Sequence, residues 1–261
     1  MSCTNASKTV LTECRDGILE IVINRPEKKN ALTVEMYRTM ADAIFGAEED
    51  AAVRVLLLHG AGGCFTSGND LKDFMNSPPK DESSPVFRFL AAVSRARKPL
   101  VAAVAGAAVG IGTTVLLHCD LVYAGKSALF QLPFVNLGLC PEAASSLLFP
   151  QLAGHRRAAE LLLLGEPFSA EKAMEIGLIN SIHPDDELLT TARAQARKLA
   201  EKPPASVILT KALLKKANAA LVRDTIAEEV RHFMERLASP EAAEAFQAFF
   251  ERRKPDFSRF R

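Results

Sequence analysis

The sequence carries almost no net charge. Across 261 residues, 32 basic side chains face 31 acidic ones, which leaves +1. That excludes a chain-wide footprint for nucleic acid and leaves room only for a local basic patch. The five cysteines, Cys3, Cys14, Cys64, Cys119 and Cys140, are odd in number, widely spaced and form no C-x-x-C pair. A zinc ribbon or dithiol redox motif is thereby excluded, and reduced thiols in a cytosol-like, cytoplasmic compartment are expected. No apolar h-region follows MSCTNASKTV, so a secretory signal is not expected. The final Ser258-Arg259-Phe260-Arg261 is not an address of the S-K-L type. The longest nearly uncharged stretch, Pro99 to Cys119, has the length of a membrane span, but Gly106, Gly110 and Gly112 interrupt it. It reads as strand, turn and helix, and no membrane partner is expected. Neither H-E-x-x-H nor G-x-S-x-G occurs, so a zinc protease or a nucleophile-elbow hydrolase is unsupported and no metal is expected. No repeat of fixed period is present.

The chain is instead rich in core-forming residues, 48% hydrophobic against 24% charged. It is long enough for one large domain or two modest ones, with a core that needs no staples. Thr9–Cys14 and Ile18–Asn24 are β-rich runs around Arg15-Asp16-Gly17, a hairpin signal. Thr33 opens a helix with Val34, Tyr37, Ala41, Ile44 and Phe45 on one face. Val53 to His59 and Leu100 to Ala105 read as strands of a sheet buried on both faces. Leu71 to Met75 forms a helical turn, Asn76 to Ser84 a surface loop and Pro85 to Arg97 a helix. Short strands follow at Asp120–Ala124 and Ala128–Gln131. From Pro141 onward the pattern is helical, with a break at Pro240. Alternation of strand and helix predicts an α/β domain with crossovers. The expected division is a core over residues 1–200 and a helical region over 201–261.

Two glycine-rich loops each follow a buried strand, Gly60 to Asp70 and Gly106 to Gly112. A dinucleotide site would need a third glycine at Val115 and an acid near Phe130, so that reading fails. In a parallel sheet the two loops lie at the same end. Glycines admit a ligand close to backbone, and together the loops can aim two N–H groups at one oxygen. The plainer reading is two tight strand-to-helix turns. His118, in an apolar helix, reads as buried or at an interface. His59 ends a strand, and His155, His183 and His232 read as surface residues. Ser67 and Ser145 have no histidine placed near them by motif. Asp70 reads as a cap for the turn at Leu71.

The segments GGCFTSGNDLKDF and KPLVAAVAGAAVGIGTTVLLHCDLVYAGKSALFQLPFVNLGL resemble the enoyl-CoA hydratase/isomerase (crotonase) superfamily. INRPEKKNALT upstream and GEPFSAEKAMEIGLIN and PPASVILTK downstream match as well. The resemblance runs from about Val10 to the end of the sequence. It implies an α/β fold, a spiral of repeated β-β-α units with C-terminal helices used in trimerisation, as a homotrimer or dimer of trimers. It also implies an acyl-CoA thioester substrate, with no cofactor beyond the coenzyme A of that substrate. By position, the oxyanion-hole donors fall on the N–H groups of Ser67 and Ile111. Thr66, Gly68, Asn69, Asp70, Leu71, Gly110, Phe134 and Leu139 fall on the substrate groove, and Lys28 and Lys29 lie along the coenzyme A path. Arg252, Arg253 and Lys254 are either a further phosphate contact or a solvated charge run. Asn76 to Phe89 is expected to border the acyl tunnel.

The two glutamates that hydratases of this family use fall on Thr114 and Phe134, and neither can act as a carboxylate. Glu142 is the acid available, and its segment resembles the Δ3,Δ2-enoyl-CoA isomerase branch. Ala143 and Ala144 stand where that branch more often has glycine and a small residue. Moving a double bond from carbon 3 to carbon 2 needs one base that takes a proton from carbon 2 and returns it at carbon 4. Burial among Phe134, Leu137, Leu139 and Phe149 would raise the carboxyl's pKa, while Pro141 as a first helical residue would place Glu142 where the helix dipole lowers it. Burial is expected to prevail. The alternatives are a helix-capping role for Glu142, a hydratase or other acyl-CoA lyase or hydrolase on the same scaffold, and a non-catalytic acyl-CoA-binding trimer.

Overall fold

The computed structural model describes residues 8–81 and 83–260. Met1–Ser7, Glu82 and Arg261 lie outside the described residues, and with them Cys3, the segment read for a leader, one position of the surface loop and the last residue of the sequence. The chain runs through β1 (Val10–Arg15), β2 (Ile18–Ile23), α1 (Val34–Glu49), β3 (Val55–Gly60), α2 (Leu71–Asn76), α3 (Pro85–Arg95), β4 (Leu100–Val104) and β5 (Ala107–Val109). It continues through α4 (Ile111–Thr114), a 3-10 turn at Val115–His118, β6 (Leu121–Gly125), β7 (Leu129–Gln131), α5 (Ser145–Ala153), α6 (His155–Leu164), β8 (Phe168–Ser169), α7 (Ala170–Glu175) and β9 (Ser181–His183). Four helices close it: α8 (Asp185–Ala200), α9 (Pro204–Lys215), α10 (Ala219–Leu237) and α11 (Pro240–Glu251).

The hairpin forms because Asp16 and Gly17 both adopt positive φ, 52° and 77°, which matches the twist of the paired strands. The rest of the large sheet is parallel, in the order β1-β2-β3-β4-β6-β9. Parallel strands need covering on both sides, and the alternation along β3 shows it. Leu56 and Leu58 join the main core with α1 and α3. Val55 and Leu57 join a second cluster with Leu188, Ala192 and Ala196 of α8. A small sheet, β5-β7-β8, lies beside the large one. The β4–β5 and β6–β7 pairs each give the large sheet one strand and the small sheet the next, so the chain advances as a spiral of α/β turns, as expected. Strands β8 and β9 were not legible in the sequence. They are two and three residues long, and pairing with β7 and β6 defines them, not an apolar run. The helices after residue 200 feed the same core, through Val230, Phe233, Ala242 and Phe246.

The fold brings the two glycine-rich loops side by side. Thr66 donates its N–H to Ala107 O at 2.8 Å and accepts from Val109 N at 3.0 Å, which extends the small sheet by one parallel bridge. Gly68 sits at φ 89°, and a Cβ there would lie 2.8 Å from Val109 O. Only glycine permits that approach. Asn30 ties the first loop to the β2–α1 connection. It is fully buried, at φ 57°, with its amide donating to Ala61 O at 2.9 Å and Cys64 O at 2.5 Å while its side-chain oxygen accepts from Arg25 N at 2.7 Å. Replacing Asn30 by alanine leaves two partly buried carbonyls without donors and the Arg25 N–H without its acceptor, so Asn30→Ala is expected to lose about 3 kcal/mol of stability, read as a lowered urea midpoint with an unchanged slope.

Candidate active site

A cavity of about 710 Å³ opens where the two loops meet. Its floor is backbone, from Ser67 to Leu71 and from Val109 to Ile111. Phe134, Leu137 and Leu139 form one wall, and Val86, Phe87 and Leu90 of α3 another. Phe233 of α10 and Phe246, Phe249 and Phe250 of α11 close over it. The charged lining, Arg25, Lys28, Asp70 and Lys72, comes from the β2–α1 connection and the start of α2. Glu142 completes the lining.

Of the residues expected in the groove, Lys28, Gly68, Asn69, Asp70, Leu71, Gly110, Ile111, Phe134 and Leu139 line this cavity. Thr66 and Lys29 do not. Thr66 lies beneath the floor, with its hydroxyl donating to Asn30 O at 2.7 Å and accepting from Gly68 N at 3.1 Å. Lys29 turns its side chain to solvent and contributes its carbonyl to the loop. Phe149 is wholly buried in the core away from the cavity. Of the segment from Asn76 to Phe89, Val86 and Phe87 reach the cavity, while the loop before them lines a separate depression beside α1. Arg253 is committed to Glu244 and Glu251 within its own chain, and Arg252 and Lys254 are exposed. His118 is buried as expected, and His59, at the end of β3, pairs with Glu20 at 3.2 Å. His155 is exposed, whereas His183 and His232 are half-buried.

One donor assignment changes. The N–H of Ser67 donates to Lys29 O at 3.0 Å and is not available to a ligand. Asn69 forms a parallel bridge with Leu32, and the residue at the centre of such a bridge turns its own N–H away from the partner segment. Gly68 O and Asp70 N both bond Leu32 on one side, at 2.8 and 2.9 Å. Asn69 therefore directs its N–H the other way. Neither that N–H nor the N–H of Ile111, the first residue of α4, has a hydrogen-bond acceptor among the described residues, and both residues line the cavity. Position in the motif alone did not separate Asn69 from Ser67. The pairing of Leu32 with Asn69 does, and that is a tertiary contact. The Asn69 side chain is fixed as well, its Oδ1 accepting from the buried Tyr37 hydroxyl at 2.5 Å. Asp70 caps α2 as read, accepting from Asp73 N at 3.2 Å, and also holds Arg25 at 2.7 Å. Those donors keep its carboxyl below the usual range, against a burial effect that raises it.

Glu142 is 7% exposed. Its Oε1 accepts a hydrogen bond from Thr114 Oγ1, and its Oε2 is buried without a hydrogen-bond partner among the described residues. Burial pushes the carboxyl up to about 8, with a smaller contribution from the nearby Glu229 charge, while the Thr114 hydroxyl opposes the shift. The residue does not stand in the first turn of a helix. The α5 helix begins only at Ser145, after Ala143 and Ala144 have both taken left-handed backbone at φ 60° and 56°. The helix N–H groups that Glu142 was expected to meet are taken by another acid. Glu229 of α10 accepts from Ala144 N at 2.6 Å, Ser146 N at 3.0 Å and Ser146 Oγ at 2.6 Å. Glu142 therefore has the burial without the helix terminus.

The arrangement thus offers an acid of raised pKa, two unengaged N–H groups from adjoining loops and an apolar chamber. No group of three His, Cys, Asp or Glu side chains that could hold a metal occurs among the described residues, and no helix of them is long and apolar enough to cross a membrane. An acid whose folded pKa exceeds its unfolded value destabilises the fold once the unfolded chain ionises. The relative stability is full below about 4.5 and is lost as pH rises through about 8. Glu142→Gln removes that loss while keeping an acceptor for Thr114. Its unfolding free energy is expected to match that of the parent near pH 4 and to exceed it at pH 8.5, by on the order of a few kcal/mol.

Comparison with known proteins agrees with this geometry. Residues 13–259 match the enoyl-CoA hydratase/isomerase family. The chain is 36% identical to the rat enoyl-CoA delta isomerase 2 over 253 residues, covering 95% of this chain and 64% of the rat protein, so it spans just under two thirds of that relative's length. It is also 36% identical to the 1,2-epoxyphenylacetyl-CoA isomerase of Escherichia coli over 258 residues, covering 95% of this chain and 98% of that one. The crystal structure of an enoyl-CoA hydratase/isomerase from Pseudoalteromonas atlantica superimposes with a TM-score of 0.92 at 42% identity, over 96% of this chain and all of the other. Fold, loop placement and sequence match lead to one family, and the chain belongs to the enoyl-CoA hydratase/isomerase, or crotonase, superfamily.

Proposed function

We propose that this protein is an acyl-CoA isomerase that moves a double bond from carbon 3 to carbon 2 of an enoyl-CoA thioester, with Glu142 as the single proton carrier. One observation carries the reading. Among the described residues only Asp70 and Glu142 bring a carboxyl to the cavity lining, and Asp70 is committed to Arg25 and to the α2 cap. Glu142 alone has an oxygen with no partner, and its surroundings keep it a usable base near neutral pH.

The chemistry follows from that carboxyl and from the floor. The ionised Oε2 takes a proton from carbon 2, and the electron pair moves through the conjugated system onto the thioester oxygen. The N–H groups of Asn69 and Ile111 receive that charge, each contributing roughly 3–4 kcal/mol to the barrier reduction. The same carboxyl then gives its proton to carbon 4. Atoms balance, and no water or redox partner enters. Thr114 holds Oε1, so the oxygen that works is Oε2, which has no hydrogen-bond partner among the described residues. The apolar walls suit an acyl chain, and Lys28 and Lys72 suit the phosphates of coenzyme A.

A hydratase needs a second acid to activate water. The positions that would supply it hold Thr114 and Phe134, and Glu229 does not line the cavity. Homotrimers, or dimers of trimers, are supported by the exposed Leu209, Leu213 and Leu214 of α9. Sedimentation is expected to give the mass of three or six chains, and a monomer would remove that part of the reading.

The decisive assay supplies 3-enoyl-CoA and 2-enoyl-CoA in parallel and follows conjugation and hydration separately. Isomerisation is expected to dominate and to fall about 10³-fold in Glu142→Gln with binding retained. Fast hydration by the parent, or isomerisation that survives the substitution, would overturn the assignment. Thr114→Val removes the only hydrogen bond that favours the ionised carboxyl. The acid limb of kcat/KM is expected to move to higher pH, with kcat about 10-fold lower.

A further inference from the structure

The turn that carries Glu142 is strained and is held from outside. A local bond from Ser145 N to Glu142 O at 3.0 Å closes the turn over Ala143 and Ala144, but their left-handed backbone still costs alanine about 1 kcal/mol or more per residue. Two contacts from distant segments offset that cost. His118, at the end of the 3-10 turn after α4, donates Nε2–H to Ala143 O at 2.8 Å. Glu229, 83 to 85 residues away in sequence, takes the N–H of Ala144 and both donors of Ser146. Its two oxygens span the turn and the first residues of α5 together. Glu229 is itself buried, 7% exposed, although acids are rarely placed so. Four residues further along α10, Phe233 closes the cavity and packs edge-on against Phe74 of α2 at 6.2 Å. One helix thus carries both the cover of the acyl chamber and the clamp on the acid's turn.

We infer that Glu229 is a positioning residue for the Glu142 proton carrier, holding the left-handed Ala143–Ala144 turn through three hydrogen bonds and facing the acid with its own negative charge. The inference rests on the assignment of Glu142 above. The groups around the acid are few. Tyr37 from α1 is un-ionised, its phenol raised well above the usual range by burial and by the Glu142 charge. His118 is neutral, lowered to about 4 by burial. Cys140, on the same segment, is pushed up to about 11, first by burial and then by Glu229. Glu229 is thus the charged partner of Glu142 among these, with Glu228 beside it on α10. Burial raises the Glu229 carboxyl above its ordinary range, with its three donors opposing the shift.

Glu229→Gln keeps the shape, but one side of the amide must present N–H to an N–H donor, and the charge is gone. The expected result is a fall in kcat of about 10- to 100-fold, with KM within about twofold and the acid limb of the kcat/KM profile moved to lower pH. A residue that only supports the fold would lower the melting temperature and scale the rate equally at every pH, so an unmoved limb, or an unchanged kcat, overturns the inference. If the glutamine variant does not fold, Glu229→Asp carries the question. It keeps the charge but is too short to span both donors, so kcat falls with the limb in place, and an unchanged kcat refutes the clamp. Glu142→Gln run alongside separates the two ideas. If it remains active, the proton-carrier reading fails, whereas an inactive Glu142→Gln beside an unaltered Glu229→Gln removes only Glu229.

Discussion

Glu142 is a buried carboxyl with one oxygen held and one left without a partner. That costs stability, and nothing in the packing requires an acid there. The other features of the cavity serve it. Apolar walls raise its pKa into the working range. A single hydroxyl from Thr114 orients it without quenching it. The backbone floor provides donors where the charge of the proposed reaction would collect. A second donor on Oε2, or a cation nearby, would return the carboxyl to its ordinary acidity and remove its use as a base near neutrality.

The same constraint accounts for the strain beside it. To face the chamber, Glu142 must leave the chain just before α5, and the chain must then reverse within two residues. Glycine would make that turn at little cost, but alanine stands at both positions. The fold compensates with long-range contacts, from His118 on the side of the second glycine loop and from Glu229 on the C-terminal helices. The helix terminus that would otherwise have acidified Glu142 is occupied by Glu229 in the process. Two electrostatic effects that a helical reading sets in opposition are therefore separated onto two different acids.

The C-terminal helices belong to this arrangement and are not an appendage. Phe233, Phe246, Phe249 and Phe250 enclose the chamber, and Glu229 secures the acid's turn. Placing the cover of an active site on the last helices allows chamber shape to vary without disturbing the parallel sheet, whose strands are covered on both faces. The glycine loops show the opposite economy. Their backbone approaches so closely, at Gly68 against Val109 O, that no side chain can be accommodated there.

Much of this was legible in the amino-acid sequence. The hairpin at Asp16-Gly17, the buried strands and the two glycine loops are local signals, because turn chemistry and apolar runs act over a few residues, whereas Glu142 stood out only through the family resemblance. The sequence by itself determined the α/β class and the two loops. It could not say that Asn69 and not Ser67 presents a free N–H, since that depends on which neighbour pairs with the extended segment. Nor could it show that α5 starts four residues after Pro141, because the left-handed alanines there are braced by Glu229 and His118 from distant segments. Strands of two or three residues, the enclosure of the chamber by phenylalanines more than 90 residues downstream of Glu142, and the clamp on the acid are long-range pairings. Tertiary structure alone decided them, since contacts between distant segments leave no periodicity in the chain.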